Sequence, residues 1–187
     1  LILINIVYYI LRQFELVPFL GIIRFRGELY HWYTAVTYSI THTRFEHLFW
    51  NLWFTAGFVG VYEYKFGTKR TVIVYYVATI LAGLAYVWWA PYRLLNITQG
   101  ASAGWYAMMG ALLINWKQLG RKWVFALIVI TLLCVHDTFT ATNINVISHV
   151  AGYIIGVMYG YVPNKHKEER YETSPNKRQR HTLNRNP

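Results

Sequence analysis

The chain has 187 residues, of which 55% are hydrophobic and 14% charged, with a formal net charge of +10 at pH 7. Typical soluble domains carry about 25% charged residues, so an ordinary soluble globular domain is excluded and a polytopic membrane protein is indicated. The basic residues stand in short clusters between apolar runs and in the tail, which is the pattern of membrane topology and not of a groove for nucleic-acid phosphates.

Aromatic residues reach 18% of the chain, as expected where rings anchor helices at both membrane interfaces. The lone Cys134 leaves no intrachain disulfide and no thiolate metal cluster. The chain starts at Leu1 without Met, which suggests a preceding segment, and no small-x-small cleavage site follows its first apolar run.

In chain order, residues 1–11 read as the surviving part of a first membrane helix. From Arg12 to Arg44 the pattern is interrupted by Glu15, Pro18, Gly21, Arg24, Arg26, Gly27 and Glu28, and is rich in rings (Tyr30, His31, Trp32, Tyr33). An irregular interfacial loop lying against the bilayer is expected there. Residues 45–62 predict the second helix, 71–89 the third, 101–116 the fourth, 123–135 the fifth and 144–162 the sixth. Two domains follow: 1–162 as an all-α, six-helix transmembrane unit, and 163–187 as a basic, disordered tail.

Charge orients the bundle. If the first helix starts inside, the basic residues at 63–70 and 117–122 and the basic tail all fall on the cytoplasmic side, while the segments 92–99 and 136–145 hold only Arg93 and fall outside. Both termini are then cytoplasmic. The tail faces the inner leaflet, where Lys and Arg are attracted to anionic lipid.

The fourth run is short. About 16 residues at roughly 1.5 Å each span about 24 Å, less than a hydrocarbon core of about 30 Å. With its inner end fixed at Trp116-Lys117, its outer end, which carries Ser102, lies below the outer surface. The polar stretch Asn96-Ile97-Thr98-Gln99-Gly100 dips in with it, and irregular backbone at that depth survives only within protein or beside a water-filled cavity. Ser102 is therefore expected in a wet pocket that opens outward.

Two other helices carry groups that could meet this serine. His47 and Asn51 are four apart and share one face of the second helix; interhelical hydrogen bonding is the plain reading of that pair. His149 lies near the outer end of the sixth helix, above a bare stripe of Gly152, Gly156 and Gly160. Ala103, Ala107, Gly110 and Ala111 give the serine helix small residues to match, and two such stripes let backbones approach closely. A plain packing or dimerisation motif with an incidental histidine accounts for that pattern as well. No acidic residue occurs in the helices of Ser102 and His149, which favours a dyad over a triad. HExxH is absent, since Glu46-His47 runs in the opposite order, so no metal is expected.

These residues resemble the rhomboid family of intramembrane serine proteases. His42-x4-His47-x3-Asn51 looks like the family's HxxxxHxxxN, Gly100-Ala101-Ser102-Ala103 resembles its GxSG, and His149-x2-Gly152-x3-Gly156 is similar to its HxxGxxxG. Tyr106 and Gly110 follow the serine by four and eight residues, and Glu63-x3-Gly67 looks like the ExxxG after the second helix. The resemblance runs from the first helix to about Tyr161. It departs from the family at Trp32-Tyr33-Thr34, which lacks the Trp-Arg pair of many members, and at Ala103, which replaces the usual glycine. The added methyl is expected to lie between the serine and histidine helices, so that Ala103→Gly keeps or raises turnover.

The resemblance implies Ser102 as nucleophile and His149 as general base and then general acid. It implies His47, Asn51 and the Ser102 backbone N–H at the oxyanion, and Tyr106 stacked on the imidazole. An ordinary core aromatic is the plain alternative for Tyr106, and His42 is expected to be structural. No cofactor is implied. The substrates would be helix-anchored membrane proteins cut near the outer face, in the lipid bilayer. The competing reading is a catalytically inactive rhomboid-like protein that binds membrane clients; a histidine-based proton transporter would not require the serine motif. His31, His136, His166 and His181 fall in loops or tail, where solvated surface is the default.

Overall fold

The computed structural model describes residues 1–25, 28–29, 31–89, 95–140 and 145–163, and within these each of the six apolar runs contains a helix. The first is α1 (Ile2–Gln13). The second is α3 (Phe45–Phe54), a π turn at Thr55–Val59, and α4 (Gly60–Phe66) in one continuous rod. Then come α5 (Thr68–Trp89), α6 (Ser102–Ile114), α7 (Arg121–Thr140) and α8 (Val146–Gly160). Among the described residues, α5 and α7 are the helices long and apolar enough to cross a membrane, while α1, α6 and α8 are shorter apolar helices. Most of the expected tail, with His166 and His181, lies outside the described residues, as do Tyr30 and Arg93.

The molecule is inside-out in its polarity. Leu3, Phe49, Trp53, Phe125, Leu132 and Ile154 are exposed, while Asn5, Asn51, Thr79, Ser102, Thr131, Thr138, Ser148 and His149 are buried. In water this arrangement would sacrifice apolar burial; in lipid the exposed faces lose nothing, and inside the bundle Asn51, Ser102, Thr131, Thr138, Ser148 and His149 find hydrogen-bond partners.

α6 is the axis of the bundle. Every residue from Ser102 to Leu112 is buried, so the helix is covered all round, as expected of a core helix. Its length of 13 residues gives about 20 Å at 1.5 Å per residue. The neighbouring helix α8 runs against it through small residues: a Cβ added at Gly152 would meet the carbonyl of Ala103, one at Gly156 the carbonyl of Ala107, and one at Gly160 the side chain of Ile114. On another side, a Cβ at Gly104 would strike the ring of Tyr75 on α5.

The expected irregular loop between the first and second helices is partly regular. It contains β1 (Ile22–Phe25), β2 (Glu28–Leu29), a single helical turn α2 (Thr34–Thr37) and a 3₁₀ turn at Tyr38–Ile40. The polar stretch before the serine also differs from expectation, since residues 95–98 form β3 (Leu95–Thr98). β1 pairs antiparallel with β3, with Ile22 opposite Thr98 and Phe25 opposite Leu95, and with β2 on its other edge. The physical reason is backbone satisfaction: groups withdrawn from water must be paired, and the strand ladder supplies the partners. After β3, the Gly100 N–H donates to the Tyr38 carbonyl at 2.9 Å, so the former loop closes over the head of α6.

Polar clamps hold the other end. Gly67 has φ +86° and separates α4 from α5, while Glu63 accepts from the Thr68 hydroxyl at 2.7 Å at the start of the new helix. Arg70 donates to the Tyr62 hydroxyl at 3.1 Å and to the carbonyls of Pro163, at 2.9 Å, and Val162, tying the chain just after α8 to α4 and α5.

Candidate active site

The head of α6 follows from one glycine. Gly100 sits at φ +105°, where a side chain is disfavoured. It turns the chain so that Ser102 becomes the first residue of the helix. A Cβ at Gly100 would also stand 2.7 Å from His47 Cε1 and 3.5 Å from Asn51 Nδ2, so the site leaves no room for one.

Ser102 Oγ lies 2.8 Å from His149 Nε2, although the two residues are 47 apart in sequence. They are 9% and 8% exposed, so the pair is sequestered. The Tyr106 ring stacks on the imidazole at 4.3 Å between centroids and 21° between planes, and Trp105 stacks on Tyr106 in turn. Tyr106 thus touches the histidine directly and is not merely a core ring.

His47 and Asn51 lie beside the serine through Gly100. Asn51 is fixed at both ends of its amide: Nδ2 donates to the His47 carbonyl at 2.8 Å, and Oδ1 accepts from Trp105 Nε1 at 3.0 Å. An amide nitrogen carries two hydrogens, so one remains free of the carbonyl contact. Trp105 is a residue that sequence reading missed; its position next to Tyr106 carried no distinguishing signal.

A second missed residue is Thr138. The fifth apolar run reads as ending near Val135, but α7 continues to Thr140 and brings the Thr138 hydroxyl 3.1 Å from His149 Nδ1. Thr138 also contacts the Tyr106 hydroxyl at 2.6 Å and donates to the Cys134 carbonyl at 2.7 Å. With Leu127, Thr131 and Cys134 it makes the buried stripe of α7, a stripe marked by burial in the fold and not by apolar periodicity. Before α8, Asn145 accepts from the Ser148 N–H at 3.0 Å as an N-cap and donates to the Thr98 hydroxyl at 2.6 Å. The strand over the site and the histidine helix are thereby tied together.

Ala103 is enclosed in a cluster with Ile22, Tyr38, Ala82 and Tyr86, against which Ile147 and Ala151 of α8 pack, and its backbone is what Gly152 approaches. Ala103→Gly is accordingly expected to lower stability by about 1–2 kcal/mol, from one lost buried methyl and a poorer helix former, without raising turnover. Thermal melting in detergent checks this; a faster, equally stable variant would contradict it.

His42 is fully buried in the connection before α3, with its ring edge against His47 at 5.0 Å, and neither ring nitrogen completes a hydrogen bond. Burial, reinforced by His47 and opposed by the nearby Ile40 backbone, lowers its pKa from 6.5 to about 3. The folded protein therefore keeps the ring neutral where the unfolded chain protonates it. That stability is complete above about pH 6.5 and is lost as pH falls toward 3, at about 1.4 kcal/mol per pH unit at most. Melting temperature should fall between pH 7 and pH 5, and fall less steeply in His42→Phe; identical slopes would exclude this origin.

A family model, the Rhomboid domain, matches residues 29–165. A Bacillus subtilis (strain 168) protein named "Putative rhomboid protease YdcA" is 24% identical over 144 residues, covering 75% of this chain and 71% of that protein. The chain belongs to the rhomboid family, and with it to a family of integral membrane proteins.

Proposed function

We propose that this rhomboid-family protein is an intramembrane serine endopeptidase that hydrolyses peptide bonds of helix-anchored membrane proteins. The observation that carries the reading is the 2.8 Å contact between Ser102 Oγ and His149 Nε2 at the head of a buried helix. In this mechanism His149 removes the hydroxyl proton as Ser102 attacks the scissile carbonyl, then returns it to the leaving amine. The acyl-serine is hydrolysed by water under the same base.

Charge developing on the carbonyl oxygen needs donors. The Ser102 N–H, at the first position of α6, has no intrahelical acceptor and lies at the positive end of the helix dipole. His47 and the free hydrogen of Asn51 Nδ2 complete the proposed oxyanion site. Tyr106 holds the plane of the imidazole. The six helices form a transmembrane bundle over residues 1–162 followed by a basic cytoplasmic tail, with both termini inside and the site opening outward. The substrate must unwind near the cut, because a helical backbone holds its carbonyls in hydrogen bonds; helix-weakening residues there would favour cleavage.

A fluorophosphonate offered to the detergent-solubilised protein should label the wild type and not Ser102→Ala or His149→Ala. Labelling that survives Ser102→Ala would overturn the nucleophile. Complete inertness of the wild type toward both the probe and labelled single-pass membrane peptides, with binding of those peptides retained, would favour an inactive client-binding relative.

A further inference from the structure

We infer that Thr138 is a positioning residue for His149, setting which ring nitrogen carries the proton. This deepens the dyad reading above and rests on it for its catalytic meaning. A base that accepts the serine proton at Nε2 must carry its own hydrogen on Nδ1. A neutral imidazole without a partner prefers the opposite tautomer, so something has to hold the working one. Among the described residues no carboxylate is hydrogen-bonded to the His149 ring; the group at Nδ1 is the Thr138 hydroxyl, at 3.1 Å.

Donor accounting gives the direction of that bond. The Thr138 hydroxyl has one hydrogen and three neighbours: the Cys134 carbonyl at 2.7 Å, the Tyr106 hydroxyl at 2.6 Å and His149 Nδ1 at 3.1 Å. The carbonyl can only accept. If Thr138 gave its hydrogen to Nδ1, two oxygens 2.7 Å apart would face each other with no proton between them. The hydrogen therefore goes to the Cys134 carbonyl, and the Tyr106 hydroxyl, 2.6 Å from Thr138 and 2.9 Å from the same carbonyl, shares its own hydrogen between those two oxygens. Thr138 is left as an acceptor, so Nδ1–H donates to it and Nε2 presents its lone pair to Ser102.

During attack the Ser102 proton moves to Nε2, the imidazolium keeps Nδ1–H on Thr138, and the Nε2 proton later leaves with the amine. The Tyr106 hydroxyl belongs to the same network, so the ring that stacks on the imidazole also fixes the oxygen that receives its Nδ1 hydrogen. All three polar groups are buried, where water cannot substitute for a missing partner.

The test combines two readouts on the full chain in detergent. With ¹⁵N-labelled histidine, His149 (assigned against His149→Gln) should show a protonated Nδ1 and an unprotonated Nε2 at neutral pH. A protonated Nε2 would overturn the proposal, whether or not the protein is active. Thr138→Val keeps the shape and removes the oxygen; it should slow labelling by a fluorophosphonate about 10–100-fold, as losing an imidazole's orienting partner does elsewhere. Thr138→Ser should restore most of the rate. Labelling of Thr138→Val at the wild-type rate would sink the inference while leaving the Ser102–His149 reading intact. Absence of labelling in the wild type would sink that reading, with the tautomer still deciding Thr138. If Thr138→Val fails to fold, the wild-type spectrum and Thr138→Ser remain decisive.

Discussion

Ser102→Ala and His149→Ala are each expected to slow hydrolysis of a labelled single-pass membrane peptide by at least about 10⁴-fold, with the double variant no slower than the worse single one. The expectation follows from the roles. A neutral hydroxyl is a poor nucleophile, and in the proposed dyad the imidazole at 2.8 Å makes it competent by taking its proton. Without the base the hydroxyl attacks little faster than water does; without the hydroxyl the base has nothing to activate. Losses from groups that act as a unit do not add.

Residual rate in all three variants should be similar, because it comes from the groups that remain. These are the α6 N-terminus with His47 and Asn51, held by the Trp105 and His47 backbone contacts. Removing one oxyanion donor, as in Asn51→Ala, should cost less, about 10²–10³-fold. Initial rates measured with the same peptide across the set check the pattern. Additive losses in the double variant would mean that the two residues work independently and that the dyad is misassigned.

The parts of the site legible in the amino-acid sequence are those written in periodic patterns. Small residues at 103 and 107 on one helix and at 152, 156 and 160 on another predict a close crossing, and the backbones do approach there. The shortness of the fourth run is legible as well: α6 has 13 residues, against 22 in α5 and 20 in α7. Three features are not legible there. β1 and β3 have four residues each, too few for a period to stand out, and Ile22 of one pairs with Thr98 of the other, far along the chain. Thr138 is lost because His136 and Asp137, both exposed, look like the start of a loop, while the helix carries them on its outer face and continues. Ala103 is placed correctly on its helix but only part of its surroundings is read, because the cluster that encloses it also includes Ile22 of β1. In each case the missing information is tertiary: which distant segment supplies the partner.

Gly156→Ala is expected to make the closest clash of any one-carbon addition at the described glycines. The new methyl would sit on the Ala107 carbonyl, a backbone atom that cannot swing aside, and Gly152→Ala would meet the Ala103 carbonyl in the same way. α8 would have to move away from α6 along the stretch that sets the distance between His149 and Ser102. Overpacking of this kind costs about 1–3 kcal/mol or more, and displacing reacting groups by about 1 Å costs about 10²-fold in rate. The control is Gly60→Ala on α4, where nothing lies within 4 Å of the added carbon. There the better helix former should leave activity unchanged and add about 0.5–1 kcal/mol of stability. Melting curves in detergent and fluorophosphonate labelling rates on the three variants separate the cases. A Gly156→Ala protein that melts and reacts like Gly60→Ala would show that the approach of α8 to α6 is looser than these contacts require, and that something other than the glycine stripe holds His149 at the serine.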